Sequence, residues 1–318
     1  MKHTYFELQT LEKDLGVSAK VLYTLSNQID LHYHVVKIPK SDGGTRKLSI
    51  PDPLLKSVQR KINEVILSGM AVSIYSKAYS FGDSPLGNAL PHLGKEEIFK
   101  LDIRKFFDHV TYPLIKEKVF TADRFSESNR ILLSLLCIHD ESLPQGAPTS
   151  SAISNILLYD FDVELGNWCH HKGITYTRYC DDMTFSGASL CTKDIEDKVR
   201  RLLKPYGLFI NSGKRQYIKG SRRKKVIGII INEKLSVPIE YRKKIRQVLY
   251  YIEKYGLKSH LEHTGYDGLQ EKYLLSLLGR INYVLSADQK KEFEKYKDRI
   301  ISLKCMFDTN VKSFGDQT

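Results

Sequence analysis

Two adjacent carboxylates, Asp181 and Asp182, interrupt an apolar segment and constrain the fold of this chain more than any other feature. The flanking stretches 174–178 and 183–186 are rich in β-branched and aromatic residues, which predicts two short strands joined by a hairpin turn. Asp favours turns for backbone reasons alone, so the pair by itself is a weak functional signal. A third carboxylate, Asp102, lies in the strand-like run 98–103. Strand-borne carboxylates that converge supply the hard oxygen ligands of a two-metal phosphoryl-transfer centre.

The chain is basic, with a formal net charge of +12 over 318 residues, and its length is enough for two or three subdomains. Between Lys198 and Lys225 there are 11 cations and no Asp or Glu. Tyr206, Phe209 and Tyr217 are interleaved with these cations. Basic residues mixed with aromatic residues predict a nucleic-acid track. A solvated basic face is the alternative for a charge run taken alone.

The 5 cysteines are scattered and lack paired spacing, which argues against a disulfide framework or a zinc site. No apolar run is long enough to cross a membrane, and the start of the chain does not resemble a signal peptide. We therefore expect a cytoplasmic protein with no membrane contact.

Apolar periodicity predicts an α+β protein whose last part is helical. A Ser-Asp-Gly-Gly turn at 41–44 is expected to join the first two strands into a hairpin. The predicted strands cover 35–39, 47–50, 98–103, 209–210 and 226–231, besides the hairpin at 174–186. The predicted helices cover 10–28, 54–68, 129–138, 150–165, 193–206, 241–255 and 269–285.

Several short motifs resemble those of reverse transcriptases, in matching order and spacing. Tyr179-Cys180-Asp181-Asp182 resembles the YxDD box, and the segment that begins at Asp102 resembles the preceding carboxylate motif. Leu143-Pro144-Gln145-Gly146 is similar to the LPQG motif between them. Two further segments point to bacterial retron-type enzymes. Gly87–His92 resembles the NAxxH element, and Val226-Ile227-Gly228 resembles the VTG element with Ile in place of Thr.

This resemblance implies a right-hand polymerase with fingers, palm and helical thumb. The fingers and N-terminal helices would cover 1–97, the palm 98–237 with part of the fingers between its motifs, and the thumb 238–318. The implied activity is RNA-directed DNA polymerisation from dNTP substrates with two Mg²⁺ ions. A cognate structured noncoding RNA would be template and primer, primed from a 2′-OH to give a branched RNA–DNA hybrid. A separate effector protein and a role in anti-phage defence are also implied.

The resemblance assigns the catalytic centre to three carboxylates and one lysine. Asp102 and Asp181 would each bind both metal ions, with Asp182 in support. Lys214 resembles the lysine proposed as the acid for the leaving pyrophosphate.

Nucleotide-binding residues are expected around this centre. Phe107 would exclude a ribonucleotide by occupying the space of its 2′-OH, whereas the adjacent Phe106 is expected in the core. Lys40 and Arg46 flank the fingertip turn and would bind the triphosphate. Tyr179 and Gln145 complete the set. The Gly after Gln145 permits close backbone approach, although a helix N-cap at 149–150 is an alternative function of this segment.

RNA recognition is expected at two places. Asn88 and His92 of the NAxxH element are the first, with loop capping as the structural alternative. Arg242, Lys243 and Arg246 on the first thumb helix are the second, with a solvated charged face as the alternative.

Two other functions stay open. One is a different bacterial defence or orphan reverse transcriptase, with another template or priming mode. The other is a non-catalytic RNA-binding module on the same fold. The intact set Asp102, Asp181 and Asp182 argues against the second, because binding alone does not need three converging carboxylates.

Overall fold

The computed structural model describes residues 4–39, 43–79, 82–288 and 290–315, the last ten of these by backbone alone. The chain divides into two compact units. The first unit combines Met1–Ser84 with Glu96–Gly220, and the second combines Pro85–Lys95 with Ser221–Thr318. These units do not follow the expected borders of fingers, palm and thumb, which remain a prediction.

The architecture is α+β, as predicted. The strands are β1 (Tyr33–Pro39), β2 (Thr45–Pro51), β3 (Glu97–Asp102), β4 (Thr175–Tyr179), β5 (Asp182–Gly187), β6 (Gln216–Lys219), β7 (Lys225–Val226) and β8 (Ile229–Ile230). The helices are α1 (Leu8–Leu15), α2 (Ala19–Asn27), α3 (Pro53–Lys61), α4 (Pro85–Ala89), α5 (Phe106–His109), α6 (Tyr112–Lys118), α7 (Glu127–Leu136), α8 (Ser150–Leu157), α9 (Tyr159–His171), α10 (Thr192–Leu203), α11 (Ile239–Tyr255), α12 (Leu257–Thr264), α13 (Gln270–Ala287) and α14 (Lys291–Gly315).

A four-stranded antiparallel sheet forms the centre of the first unit, in the order β4-β5-β3-β6. The two inner strands, β3 and β5, are almost entirely buried. The Phe185 ring packs against Phe99 and Tyr176, with centroids 6.3 Å and 5.1 Å away. The polar end of each inner strand therefore lies at the edge of a well-packed core.

The second unit joins a short early segment to the helical C-terminal part. α4 packs against β7 and β8, and the Gly94 amide donates to the carbonyl of Ile231 at 3.0 Å. The Lys224 ammonium donates to the carbonyl of Lys95 at 2.9 Å. The two segments that resemble retron elements thus belong to one compact unit.

The structure corrects several predicted elements. The helix expected at 10–28 is broken at Gly16, whose φ of 65° ends α1, and α2 follows. The helix expected at 150–165 is divided at Leu158 into α8 and α9. Residues 209–210 form only an isolated bridge from Ile210 to Ile103, whereas β6 was not predicted. Among the described residues, no helix is long and apolar enough to span a membrane.

Candidate active site

The two adjacent carboxylates lie on a tight hairpin turn, as the sequence predicts. Tyr179 of β4 pairs with Asp182 of β5, so the turn consists of Cys180 and Asp181. Cys180 has a φ of 59°, the left-handed conformation that two-residue hairpin turns require. The first carboxylate therefore sits in the turn itself and the second begins the next strand.

A buried ion pair anchors this turn from below. Arg178 and Asp162 are fully buried, and the guanidinium donates to both carboxylate oxygens at 2.6–3.1 Å. Arg178 also donates through Nη1 to the carbonyl of Cys180 at 2.8 Å. The Tyr176 hydroxyl donates to the same carboxylate at 2.8 Å. Removal of either partner would leave the other charge buried and unpaired, which is strongly destabilising. The intact pair therefore holds the turn in place.

Asp102 joins the two turn carboxylates at the end of the sheet. The register of β3 and β5 places Asp102 opposite Asp182, and the next amide, of Ile103, donates to the Asp181 carbonyl at 3.0 Å. Burial and the negative charge of Asp102 raise the pKa of Asp181. Partial burial and the charges of Asp181 and Asp102 raise the pKa of Asp182 to about 6. Such mutual destabilisation of like charges is relieved by a cation.

Two further side chains contact Asp102. The Lys214 ammonium donates to its Oδ2 at 2.7 Å, and this hydrogen bond raises the pKa of Lys214. The Asn211 side chain donates to its Oδ1 at 3.0 Å, and the Asn211 amide donates to its carbonyl at 2.7 Å. The sequence analysis missed Asn211 as a site residue. Its position in an Asn-Ser-Gly turn next to Lys214 is the signal that was available.

A cleft of about 680 Å³ opens beside these carboxylates. It brings together six predicted site residues: Arg46, Asp102, Phe107, Gln145, Asp181 and Lys214. Asp182 and Tyr179 do not line the cleft, and Lys40 lies outside the described residues. The cleft therefore brings two of the three predicted metal ligands together with three of the five predicted nucleotide contacts.

The two phenylalanines after Asp102 have different environments. Phe106 is 2% exposed and belongs to the core, in agreement with its expected role. Phe107 is half-buried, lines the cleft, and lies with its ring 5.5 Å from that of Phe106. The preceding Lys105 has a φ of 46° and starts α5, which turns the chain back towards the cleft. The geometry is compatible with a sugar-selecting Phe107, whose role stays a prediction.

Gln145 and Gly146 are fixed by the first hairpin. The Ser49 amide of β2 donates to the Gln145 carbonyl at 2.8 Å. A Cβ on Gly146 would lie 2.9 Å from the Ser49 carbonyl oxygen, and its φ is 122°. Glycine is thus required here by a protein contact. Of the proposed N-cap residues, Thr149 makes no side-chain cap hydrogen bond, and the Ser150 hydroxyl donates to the Pro144 carbonyl at 2.6 Å.

Tyr79 is a second neighbour of the site that sequence reasoning missed. Its ring lies 6.1 Å from that of Tyr179, and burial raises its pKa. Its φ of 69° is rare for an aromatic residue and is of the strained kind that occurs near functional sites. Tyr179 therefore packs on an aromatic partner at the back of the carboxylate turn.

Of the residues expected to bind RNA in the second unit, some are buried, some are paired with carboxylates, and one is exposed. Asn88 and His92 are 1% and 0% exposed, which favours the structural alternative over direct contact. Neither polar atom of the Asn88 amide has a hydrogen-bond partner among the described residues. Arg242 is paired with Asp288 at 3.0 Å, and Arg246 donates twice to Glu292 at 2.8 Å. Lys243 is exposed.

Comparison with known proteins agrees with the geometry. The sequence model of the family described as reverse transcriptase (RNA-dependent DNA polymerase) matches residues 38–231. The chain is 30% identical to the retron Ec86 reverse transcriptase of Escherichia coli, over 89% of this chain and 85% of that protein. It is 31% identical to the Escherichia coli retron Ec83 reverse transcriptase, over 75% and 81% of the two chains.

Among solved structures, apo telomerase from Candida tropicalis, truncated from its C-terminal domain, is similar at 15% identity with a TM-score of 0.43. That match covers 65% of this chain and 55% of the telomerase chain. The family match and the retron relatives establish what the carboxylate motifs indicate. The chain belongs to the reverse transcriptase family, is of the retron type, and is an RNA-directed DNA polymerase.

Proposed function

We propose that this enzyme copies a cognate structured noncoding RNA into DNA at the cleft of the first unit, by two-metal phosphoryl transfer. The observation that carries the proposal is the meeting of Asp102, Asp181 and Asp182 at one end of the central sheet. Asp102 and Asp181 line the cleft, and Asp182, which pairs with Asp102 across β3 and β5, would act in support. Carboxylate oxygens are the ligands that Mg²⁺ prefers, and burial together with the neighbouring carboxylates raises the pKa values of Asp181 and Asp182.

Mg²⁺, when bound by these carboxylates, would position the attacking 3′-hydroxyl and neutralise charge on the dNTP triphosphate. Lys214 would act on the other side of the reaction. The Lys214 ammonium donates to Asp102 at 2.7 Å, and this hydrogen bond holds it at the centre. It is thereby positioned to donate a proton to the leaving pyrophosphate.

The remaining cleft residues would select the nucleotide. Arg46 is exposed on β2 at the rim of the cleft, where its planar fork suits a phosphate. Phe107 lines the cleft, where its ring would take the space that a 2′-OH needs. Gln145 is held by the Ser49 amide and presents its side chain at the same cleft.

Kinship with retron enzymes supports the rest of the proposal. The noncoding RNA would serve as template and as primer through a 2′-OH, giving a branched RNA–DNA product. This kinship favours a role in defence against phage. The enzyme would act in the cytoplasm, together with a separate effector protein. Lys243 and the exposed cations of the basic stretch, such as Arg201, Lys204 and Arg222, are the candidates for RNA contact.

The test is replacement of both turn carboxylates, Asp181→Asn with Asp182→Asn. Primer extension on an artificial RNA template should fall by more than about a thousandfold, because the metal ligands are lost. RNA binding in a filter assay should persist, because the basic surface is unchanged. Asp194→Asn with Asp197→Asn, both exposed on α10, gives the same charge change as a control. Extension by the double mutant at the rate of this control would refute the assignment.

The template and the priming mode need a separate measurement. Sequencing of the nucleic acid that copurifies with the wild-type enzyme should yield one abundant RNA joined to DNA at an internal 2′ position. An unbranched product, or DNA copied from many RNAs, would point to a reverse transcriptase with another priming mode or template.

A further inference from the structure

An aromatic pocket lies in the second unit, far in sequence from the carboxylates. α11 ends at Tyr255, and α12 begins at Leu257, with Gly256 between them at a φ of 82°. The two helices enclose an open pocket of about 350 Å³, lined by Tyr251, Tyr255, Ser259, His260 and His263. Four of its five lining residues have rings, and ligand pockets are lined predominantly by hydrophobic and aromatic side chains.

The rings are arranged in near-parallel planes. The Tyr251 ring is tilted by 25° from that of Tyr255 and by 13° from that of His260, with centroids 6.1 Å and 6.4 Å away. His260 is buried and is fixed by a 2.8 Å hydrogen bond between its Nε2 and the Tyr273 hydroxyl. Burial and the neighbouring His263 lower the pKa of His260, so its ring is neutral at physiological pH. The rings of Tyr251, Tyr255 and His260 therefore present an ordered stacking surface.

The surroundings of the pocket carry positive charge. The Lys254 ammonium lies 5.2 Å from the centre of the Tyr255 ring and 5.5 Å from that of Tyr250. Lys258 is exposed beside Ser259, and among the residues that the structure describes it has no carboxylate partner. Glu253, at the end of α11, is paired with Arg299 at 2.8 Å. Glu262 is the one carboxylate in α12. A polyanion with flat rings is the ligand that such a site fits.

We propose that this pocket binds a single unpaired nucleobase of an RNA strand by stacking. The inference rests on the proposed function, because it adds a base-binding subsite for the RNA that the enzyme copies. Stacking on aromatic side chains tolerates any base and contributes substantially for each base. Cations beside the rings would hold the adjoining phosphates. Tyr255, which is 55% exposed, is the outer wall that a base would contact first.

The probe is a single-stranded oligouridylate of about twelve nucleotides with one 4-thiouridine, since unstructured RNA presents its bases freely. Irradiation of the wild-type full chain should crosslink the 4-thiouridine to the peptide that contains α11 and α12. The RNA concentration that half-saturates this crosslink gives a local dissociation constant, separate from RNA bound elsewhere on the protein. A crosslink found only outside residues 239–264 would overturn the proposal.

Matched variants test the stacking itself. Tyr255→Leu should raise the half-saturating concentration about tenfold, whereas Tyr255→Phe, which retains the ring, should stay within about twofold of the wild type. Tyr23→Leu removes a half-exposed ring from α2 in the first unit and should change nothing. No change in Tyr255→Leu, or an equal loss in Tyr255→Leu and Tyr255→Phe, would contradict base stacking.

The same variants separate this inference from the proposed function. Tyr255→Leu should extend a primer on an artificial template at the wild-type rate, because the carboxylates are untouched. If the wild type fails to extend the primer, the proposed polymerase centre is wrong, whatever the crosslink shows. If extension is normal and the crosslink does not depend on the Tyr255 ring, the pocket alone is wrong.

Discussion

Single side chains decide the geometry of the carboxylate centre, and Asn211 is the clearest case. It contacts Asp102 twice, with the backbone amide at 2.7 Å and the side-chain amide at 3.0 Å. Lys214, three residues later, contacts the other carboxylate oxygen. One short turn thus orients both oxygens of a proposed metal ligand. Mutation of partners of this kind typically costs about 10- to 100-fold in metal affinity or activity.

Asn211→Ala should therefore weaken the response to Mg²⁺. We expect the Mg²⁺ concentration for half-maximal primer extension to rise about tenfold or more, because Asp102 loses an orienting hydrogen bond. The control is Asn167→Ala on the exposed surface of α9. An unchanged Mg²⁺ dependence would show that Asn211 matters only for folding.

Phe107→Val should relax the choice of sugar, because the smaller side chain leaves room for a 2′-OH. The measurement is the ratio of dNTP to ribonucleotide incorporation on one template. Phe209→Val is a suitable control, since Phe209 is 60% exposed and does not line the cleft. It lies close to Arg104, which does line the cleft, so the control is near the site. A ratio that does not change in Phe107→Val would assign this ring to packing.

The raised pKa of Asp182 predicts a pH-dependent effect of Mg²⁺ on stability. The carboxyl has a pKa of about 6 in the folded protein, above its ordinary value, so the folded state binds the extra proton. Its contribution to stability without metal therefore falls as pH rises from about 4 to about 6. Mg²⁺ should raise the melting temperature more at about pH 8 than at about pH 5. Asp182→Asn should reduce this difference, and an identical difference in the variant would contradict it.

At the scale of elements, the sequence predicted those helices and strands that are determined by a local pattern of residues. The β4–β5 hairpin and the β3 strand were predictable because each strand is a short run with apolar, β-branched or aromatic residues, and a turn signal joins β4 to β5. The break at Gly16 was missed because helical spacing continues across it. β6 was missed because it is an exposed, polar edge strand. The approach of Asn211 to Asp102 and the burial of His92 depend on tertiary contacts, so no local pattern reports them.

Gly146→Ala tests the contact between two such elements. The new Cβ would lie 2.9 Å from the Ser49 carbonyl oxygen at a φ of 122°, so the loop or the first hairpin must move. We expect the free energy of unfolding to fall by about 1–3 kcal/mol, with a raised KM for dNTP. Gly279→Ala in α13, where a Cβ meets nothing within 4 Å, should be neutral or stabilising. Equal effects of the two changes would exclude the proposed contact.

At the scale of the whole molecule, the segment Pro85–Lys95 belongs with Ser221–Thr318. The buried Asn88 and His92 therefore lie in the same unit as the helices predicted to form the thumb. This grouping changes how RNA specificity should be tested, because a thumb moved alone would leave residues 85–95 packed against foreign side chains.

Exchange of both segments together with those of a related retron enzyme should switch the RNA that copurifies with the protein. Primer extension on a generic template should persist, because Asp102, Asp181 and Asp182 lie in the other unit. Sequencing of the bound RNA gives the result, and exchange of residues 238–318 alone should give a less stable chimera. An active double chimera that retains its original RNA would place recognition in the first unit.

The divided second unit also has a consequence for the order of events on the ribosome. Residues 85–95 emerge about 125 residues before Ser221, where the main body of their unit begins. At bacterial and eukaryotic synthesis rates, the segment that begins at Ser221 starts to be synthesised roughly 6 to 25 s after residues 85–95. During that interval Ala89 and His92, both buried in the finished protein, are exposed to the cell. A nascent chain stopped near residue 220 should therefore be a better substrate for chaperones than the completed one.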